Sequence, residues 1–300
     1  MRVLRGAVAV LLILLLSGPA LADGVRRIAV MSAFEPELVT LLAATTDQRE
    51  TVVNGTRFTT GMLEGRPVVL VLSGISVVNA AMTTQMLLDR FTVQAIVFSG
   101  IAGGIDPGLH VGDVTVPARW GNYLEGTFAR DLPGGGHALP PWRDKVFPNF
   151  GMIHPQETQV RTAARPEGEM RFWFEVDPAL LAAAREALAG VELARCTAAG
   201  QCLDHEPTVV LGGNGITGPV FMDNAAFRDY AFATFDADAL DMETGAVAHV
   251  AHAHGVPYIA FRSLSDLAGG DHGANGVMTF LDLAAGNAAT VVRAFLRGLP

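Results

Sequence analysis

Short apolar runs of strand length alternate with helical patterns along most of this 300-residue chain. That rhythm constrains the fold more than any other feature, because strands separated by helices pack as a sheet covered by helices. The sequence predicts strands at 27–33, 68–73, 95–99, 113–117, 208–217 and 258–263. Several end in Ser or Gly and pass at once into a helix. Pro36 suits an early helical position, and Leu38, Leu41 and Leu42 give that helix an inward stripe. Ser76 is positioned to cap the helix starting "VVNAAM", and Asp177 the helix "PALLAAAREALAG", with Gly190 as its stop. Asp241-Met242-Glu243 reads as the opening of an alanine-rich helix, and a last helix is expected near 280–296. With 50% apolar residues spread evenly, the chain can bury one large core. The expected fold class is therefore α/β, a single-domain twisted mixed β-sheet flanked by helices.

Two segments depart from the rhythm. Residues 1–22 carry Arg2 and Arg5 ahead of an apolar run from Ala7 to Leu16, then the breakers Ser17, Gly18 and Pro19 and a small-residue cleavage site at Ala20-Leu21-Ala22. This predicts a signal peptide, a mature domain over 23–300, and a periplasmic or secreted location without stable membrane association. Residues 124–170, rich in Gly, Pro and isolated aromatics, form an insert expected to be a functional loop, a lid or a disordered segment.

Charge and cysteine usage exclude several classes. Removing the leader takes away two arginines and no acids, so 19 basic against 30 acidic residues leave a formal charge of −11. Nucleic acid is excluded as a partner, because phosphate backbones require a basic surface. Cys196 and Cys202 make a plausible disulfide in an oxidising compartment. Zinc at this pair would need more than Asp204 and His205 nearby, and no metal is expected. His249, His252 and His254 read as surface or helix-end histidines. Phe172, Trp173 and Phe174 read as core, and Asn54-Gly55-Thr56 as a glycosylation sequon without meaning in a bacterial host.

The candidate chemistry sits at predicted strand ends. Ser73-Gly74 and the Gly100 to Gly104 turn let backbone approach a ligand closely, and the crevice beyond strand C-termini is where α/β sheets bind ligands. Tight turns alone would explain the same glycines. Neither turn fits a phosphate loop or a dinucleotide fingerprint. Three acids adjoin this region: Glu37, Glu243 and Asp266. Asp241 or Thr244 can cap the helix, leaving Glu243 for a ligand. A helix capped by Asp266 is disfavoured by the glycines of "LAGG".

The ordered set "IAVMSAFEPELVTLL", "LSGISVVNAAM", "SGIAGGIDPGLHVGDVTVP", "GPVFMDN", "LDMETGAVAHV" and "FRSLSDLAGG" resembles the nucleoside phosphorylase/nucleosidase superfamily. It is most similar to the methylthioadenosine/S-adenosylhomocysteine nucleosidases and the bark-storage proteins, over Arg27 to about Val116 and Thr208 to Phe295. The resemblance implies that Glu37 orients the attacking water, that Met242 and Glu243 hold the ribose, and that Asp266 protonates or hydrogen-bonds the purine at N7. It further implies that Phe221 stacks on the base, that Ser73 and the turn holding Gly103 line the ribosyl side, that no cofactor is required, and that the protein is a homodimer. Departures from the pattern are Pro36, where an acid is usual, and Thr244-Gly245 after Glu243.

Three separated carboxylates suit N-glycosidic cleavage, which passes through an oxocarbenium-like state. Phosphate as nucleophile would need cationic partners, yet "SAFEPE" carries Glu35 and Glu37 and no arginine. Arg262 is expected to brace a carboxylate. The sequence thus points to an exported purine N-ribosyl hydrolase, with a nucleoside phosphorylase and a non-catalytic nucleoside-binding or storage protein as alternatives. Asp271 and His272 read as a solvated turn, with closure over the base as the alternative.

Overall fold

A computed structural model describes residues 24–270 and 275–300. The expected leader, and the Asp271-His272 pair, lie outside the described residues. The first three strands at the centre are β1 (Arg26–Ser32), β4 (Arg66–Leu72) and β5 (Thr92–Gly104), with α1 (Glu35–Ala44) and α2 (Val77–Arg90) between them. β1 lies between β4 and β5 and runs parallel to both. Its residues 27–32 are buried in unbroken succession, as expected for a strand covered on both faces.

At this edge, two strands are not apparent from the apolar pattern. β2 (Thr46–Val53) and β3 (Thr56–Leu63) extend this edge as antiparallel neighbours in the order β4-β3-β2. β2 is polar and solvent-exposed over most of its length, so no apolar run marks it. The usable signal is the dipeptide Asn54-Gly55, where φ of 48° and 81° makes a hairpin turn between β2 and β3.

Past β5 come β6 (Val114–Val116) and β7 (Arg119–Asn122), then the insert, which is ordered as three short ribbons. These pair β8 (Gly126–Phe128) with β11 (Ile153–Pro155), β9 (Arg130–Asp131) with β10 (His137–Ala138), and β12 (Thr158–Val160) with β13 (Glu169–Arg171). Phe147 and Phe150 pin the insert onto a second core built from Tyr123, Phe172, Phe227 and Phe235. β14 (Trp173–Glu175) returns to the main sheet beside β7, and α3 (Pro178–Ala187) follows, capped by Asp177 through Ala179 and Leu180 N–H. Phe172 precedes β14, so it and Phe174 enter different cores.

The run expected as one strand at 208–217 is two, β15 (Val209–Leu211) and β16 (Asn214–Thr217). Gly212 and Gly213, with φ of 101° and 69°, break it. α4 (Ala225–Phe235) leads into β17 (Ala237–Asp241), whose end the sequence pattern assigns to a helix start. Asp241 ends that strand instead, and α5 begins at Thr244 (Thr244–His254). β18 (Tyr258–Asp266) runs parallel to β5, and α6 (Val277–Gly298) packs across both. The result is a 12-stranded mixed sheet among the described residues, flanked by helices.

Candidate active site

β1, β5 and β18 are parallel neighbours, so their C-terminal ends open on one side of the sheet. Ala33 and Phe34 leave β1 there, and the first turn of α1 carries Glu37. β17 approaches from the antiparallel side, pairing Leu240 with Gly103, and delivers Asp241, Met242 and Glu243 to the same region. β18 ends at Asp266 after a register shift between Leu264 and Asp266, a bulge that re-aims the terminal side chain. A cavity of about 260 Å³ lies among these ends, lined by Glu37, Gly103, Phe221, Met242, Glu243 and Asp266.

One buried cation organises three of the acids. Arg262 is fully buried, and its Nη2 lies 2.8 Å from Asp241 Oδ2 and 3.4 Å from Glu243 Oε2, while Nη1 stands 3.8 Å from Glu37 Oε1. The guanidinium also donates to Thr244 Oγ1 and to the Ile101 carbonyl, and it sits 4.4 Å above the Phe98 ring. Gly100 is required where this pair passes. A Cβ there would come within 2.4 Å of Arg262 Nη1 and 2.5 Å of Glu37 Oε1. The expectation that Arg262 braces a carboxylate therefore understates its role, since it serves three.

Glu37 is fixed from all sides. Its Oε2 accepts from Ala33 N–H at 2.6 Å and Phe34 N–H at 3.3 Å, and Oε1 accepts from Ile101 N–H at 2.8 Å. Burial nonetheless raises its pKa, with Arg262 and those N–H groups opposing. Glu243 Oε1 accepts from Ser76 N–H at 2.8 Å. Burial pushes its carboxyl up to about 7, against the pull of Arg262 and with the nearby Asp241 charge adding to the rise. Asp241 is the helix cap, accepting from Thr244 N–H at 3.1 Å and Glu243 N–H at 3.2 Å, and it takes the Thr217 hydroxyl at 2.5 Å. Ser76 does not cap α2 with its side chain. Its φ of 80° instead turns its N–H toward Glu243, a strained conformation for a non-glycine residue.

The opposite wall is built differently. Asp266 Oδ1 accepts from Ser265 Oγ at 2.9 Å, and Oδ2 accepts from Ala268 N–H and Asn275 Nδ2, each at 3.1 Å. Phe221 and Met278 line the cavity while remaining 59% and 82% exposed. Ser73 is not brought into this cavity. It is buried beside a neighbouring groove that shares Phe34 and Ile75 with it, and its hydroxyl donates to the Gly74 carbonyl. No described residue of the 124–170 insert lines the cavity. The α5 histidines diverge: His249 stacks on Phe174, His252 meets Glu169, and His254 meets Gln85. Sequence reasoning misses Phe34, Asn275 and Met278 as site residues. Each acts through backbone, a single amide or apolar surface, which carries no motif.

Comparisons with known proteins agree with this architecture. The sequence profile of the phosphorylase superfamily matches residues 27–297. A 5′-methylthioadenosine/S-adenosylhomocysteine nucleosidase of Mycobacterium bovis is 30% identical over 266 residues, covering 89% of this chain and 95% of its own. Bark storage protein B of Populus deltoides is 28% identical, covering 83% and 79%. Among solved structures, a methylthioadenosine/S-adenosylhomocysteine nucleosidase of Colwellia psychrerythraea in complex with adenine superposes with a TM-score of 0.67 at 28% identity, over 91% of this chain and 95% of its own.

Proposed function

The chain belongs to the phosphorylase superfamily, and from that premise we propose that it is an N-ribosyl hydrolase, cleaving purine nucleosides of the methylthioadenosine/S-adenosylhomocysteine type with water as nucleophile. The observation that carries this reading is the meeting of Glu37, Glu243 and Asp266 on one cavity, from positions up to 229 residues apart.

Each carboxylate has a separate task in the reaction. Glu243 and Met242 hold the ribose, fixing the anomeric carbon so that little entropy is left to lose at the barrier. Phe221 stacks on the base. Asp266 supplies a proton or hydrogen bond to the purine at N7, so the electron pair of the breaking C1′–N9 bond is taken up by the leaving base. Water attacks C1′ from the other side and gives its proton to Glu37. A buried carboxylate with a raised pKa is the better proton acceptor for that step.

Water fits better than phosphate on charge. A dianion at this place would face Glu37 and Glu243, and Arg262 already spends its guanidinium on Asp241, Glu243, Thr244 and the Ile101 carbonyl. Incubating the purified protein with methylthioadenosine, with and without phosphate, tests the reading by chromatography of the products. Free adenine and a free sugar at equal rates in both are expected. A requirement for phosphate, with a sugar phosphate as product, would establish the phosphorylase instead. The likeness to Bark storage protein B supports a second reading, a non-catalytic nucleoside-binding or storage protein, which tight binding with no base released would establish. The leader-like residues 1–22 extend the proposal to an exported protein, and the resemblance extends it to a homodimer.

A further inference from the structure

Away from the cavity, the loop after β5 meets the segment held by the Cys196–Cys202 disulfide. Gly112, at φ 91°, lets Leu203 and Pro207 pack so closely that a Cβ there would come within 2.5 Å of Leu203. Asn287 ties the same two segments, accepting from Ala194 N–H and donating to the carbonyls of Gly112 and Ala194. This contact brings His110, Asp113 and His205 together, with one ligand atom of each within 4.8 Å of the others.

Three details make the cluster more than a chance meeting. His205 Nδ1 pairs with Asp204 Oδ1 at 3.0 Å, so a carboxylate fixes the tautomer with hydrogen on Nδ1 and leaves the Nε2 lone pair for a ligand. That Nε2 is buried, and among the described residues no hydrogen-bond partner reaches it. Asp113 is held rigidly, its Oδ1 accepting from Thr208 N–H at 2.7 Å and Thr208 Oγ1 at 3.2 Å, and its Oδ2 accepting from His110 N–H at 2.8 Å while facing His110 Nδ1 at 3.8 Å. Two imidazoles and a carboxylate, with one histidine 59% exposed as the way in, form the donor set that suits zinc-class divalent cations.

We propose that His110, Asp113 and His205 bind a zinc-class divalent cation, with water completing the coordination, and that the ion clasps the 105–113 loop to the disulfide-bonded segment. Ligand atoms around a tetrahedral ion at about 2 Å stand roughly 3.3 Å apart, so a set within 4.8 Å has to close by no more than about 1.5 Å, and the exposed His110 ring is free to move. The site is structural and stands apart from the proposed hydrolysis.

Zinc chloride titrated into the purified, disulfide-intact full chain, by competition with a chromogenic chelator, tests this. One ion per chain at micromolar affinity or tighter is expected, weakened at least tenfold in His205→Gln and in His110→Gln, and by about tenfold or more in Asp204→Asn. Zinc at about 100 times its Kd should raise the wild-type melting temperature by about 5 °C and leave that of His205→Gln unmoved. Should the variants fold poorly, cobalt in the wild-type protein gives an independent readout through the absorption bands of a tetrahedral nitrogen and oxygen site. Wild-type protein with no saturable zinc binding below about 100 µM, binding unchanged in both histidine variants, or cobalt showing only its aqueous spectrum would each overturn the proposal.

Discussion

The two walls of the cavity solve the same problem, holding a carboxylate ready in a partly closed space, by opposite means. On the Glu37 and Glu243 side, side chains are buried, rooted at strand ends and wired to Arg262 beneath Gly100. On the other side Asp266, equally buried at the end of β18, is held by Ser265, Ala268 and Asn275, and the exposed Phe221 and Met278 stand beside it. The first wall is preorganised, so its groups need little rearrangement as charge develops. The second can give way to bases and substituents of different shape. Under the proposed function, the positions of attack and of sugar binding are thereby fixed, whereas the leaving-group end is adjustable.

That contrast can be broken most strongly at the acids. Glu37→Gln and Asp266→Asn should each lower kcat by about 10²- to 10⁴-fold. If the walls differ as described, pre-steady-state binding of substrate should be nearly unchanged in both. Loss of binding in Glu37→Gln would mean that its wall recognises rather than reacts. Removal of the hub comes next. Arg262→Met leaves Asp241, Glu243 and Glu37 buried without their cation, and a cost of about 3–5 kcal/mol in urea unfolding is expected. Gly100→Ala should cost less, about 1–3 kcal/mol, by wedging the Arg262–Glu37 contact apart, and it should lower kcat as well.

Titration separates the walls at a finer level. Glu243 ionises near 4.5 when unfolded but holds its proton to about 7 when folded, so the native state binds more protons between those values. The contribution of Glu243 to stability should fall as pH rises from about 4.5 to about 7, so Glu243→Gln should gain stability relative to the parent chain across that range in melting curves. The smallest effects belong to the exposed apolar residues beside Asp266. Phe221→Ala should raise KM about tenfold through lost stacking on the base, while Met278→Ala should move it by less than about threefold. A larger effect from Met278 than from Phe221 would show that the apolar grip is on the sugar substituent rather than on the base.

Much of this architecture is legible in the amino-acid order. The strands that are buried on both faces are continuous apolar runs, and the acids at their ends stand out because a core has no use for them. What is not legible is hidden for identifiable reasons. β2 is polar because solvent covers it, Asn54-Gly55 reads as readily as a sequon as a turn, and Asp241 resembles a helix start because the strand before it is only five residues long.

By itself the sequence determined the layered α/β class, the covered central strands and the identity of three candidate acids, because strand burial and helical amphipathicity are written in local periodicity. Only the tertiary structure decided that Arg262 answers three carboxylates, that Ser76 offers its N–H rather than its hydroxyl, and that His110 meets His205 across 95 residues. Those relations depend on sheet register and loop packing. A displacement of one residue in either would separate the groups while leaving every local pattern in the chain intact.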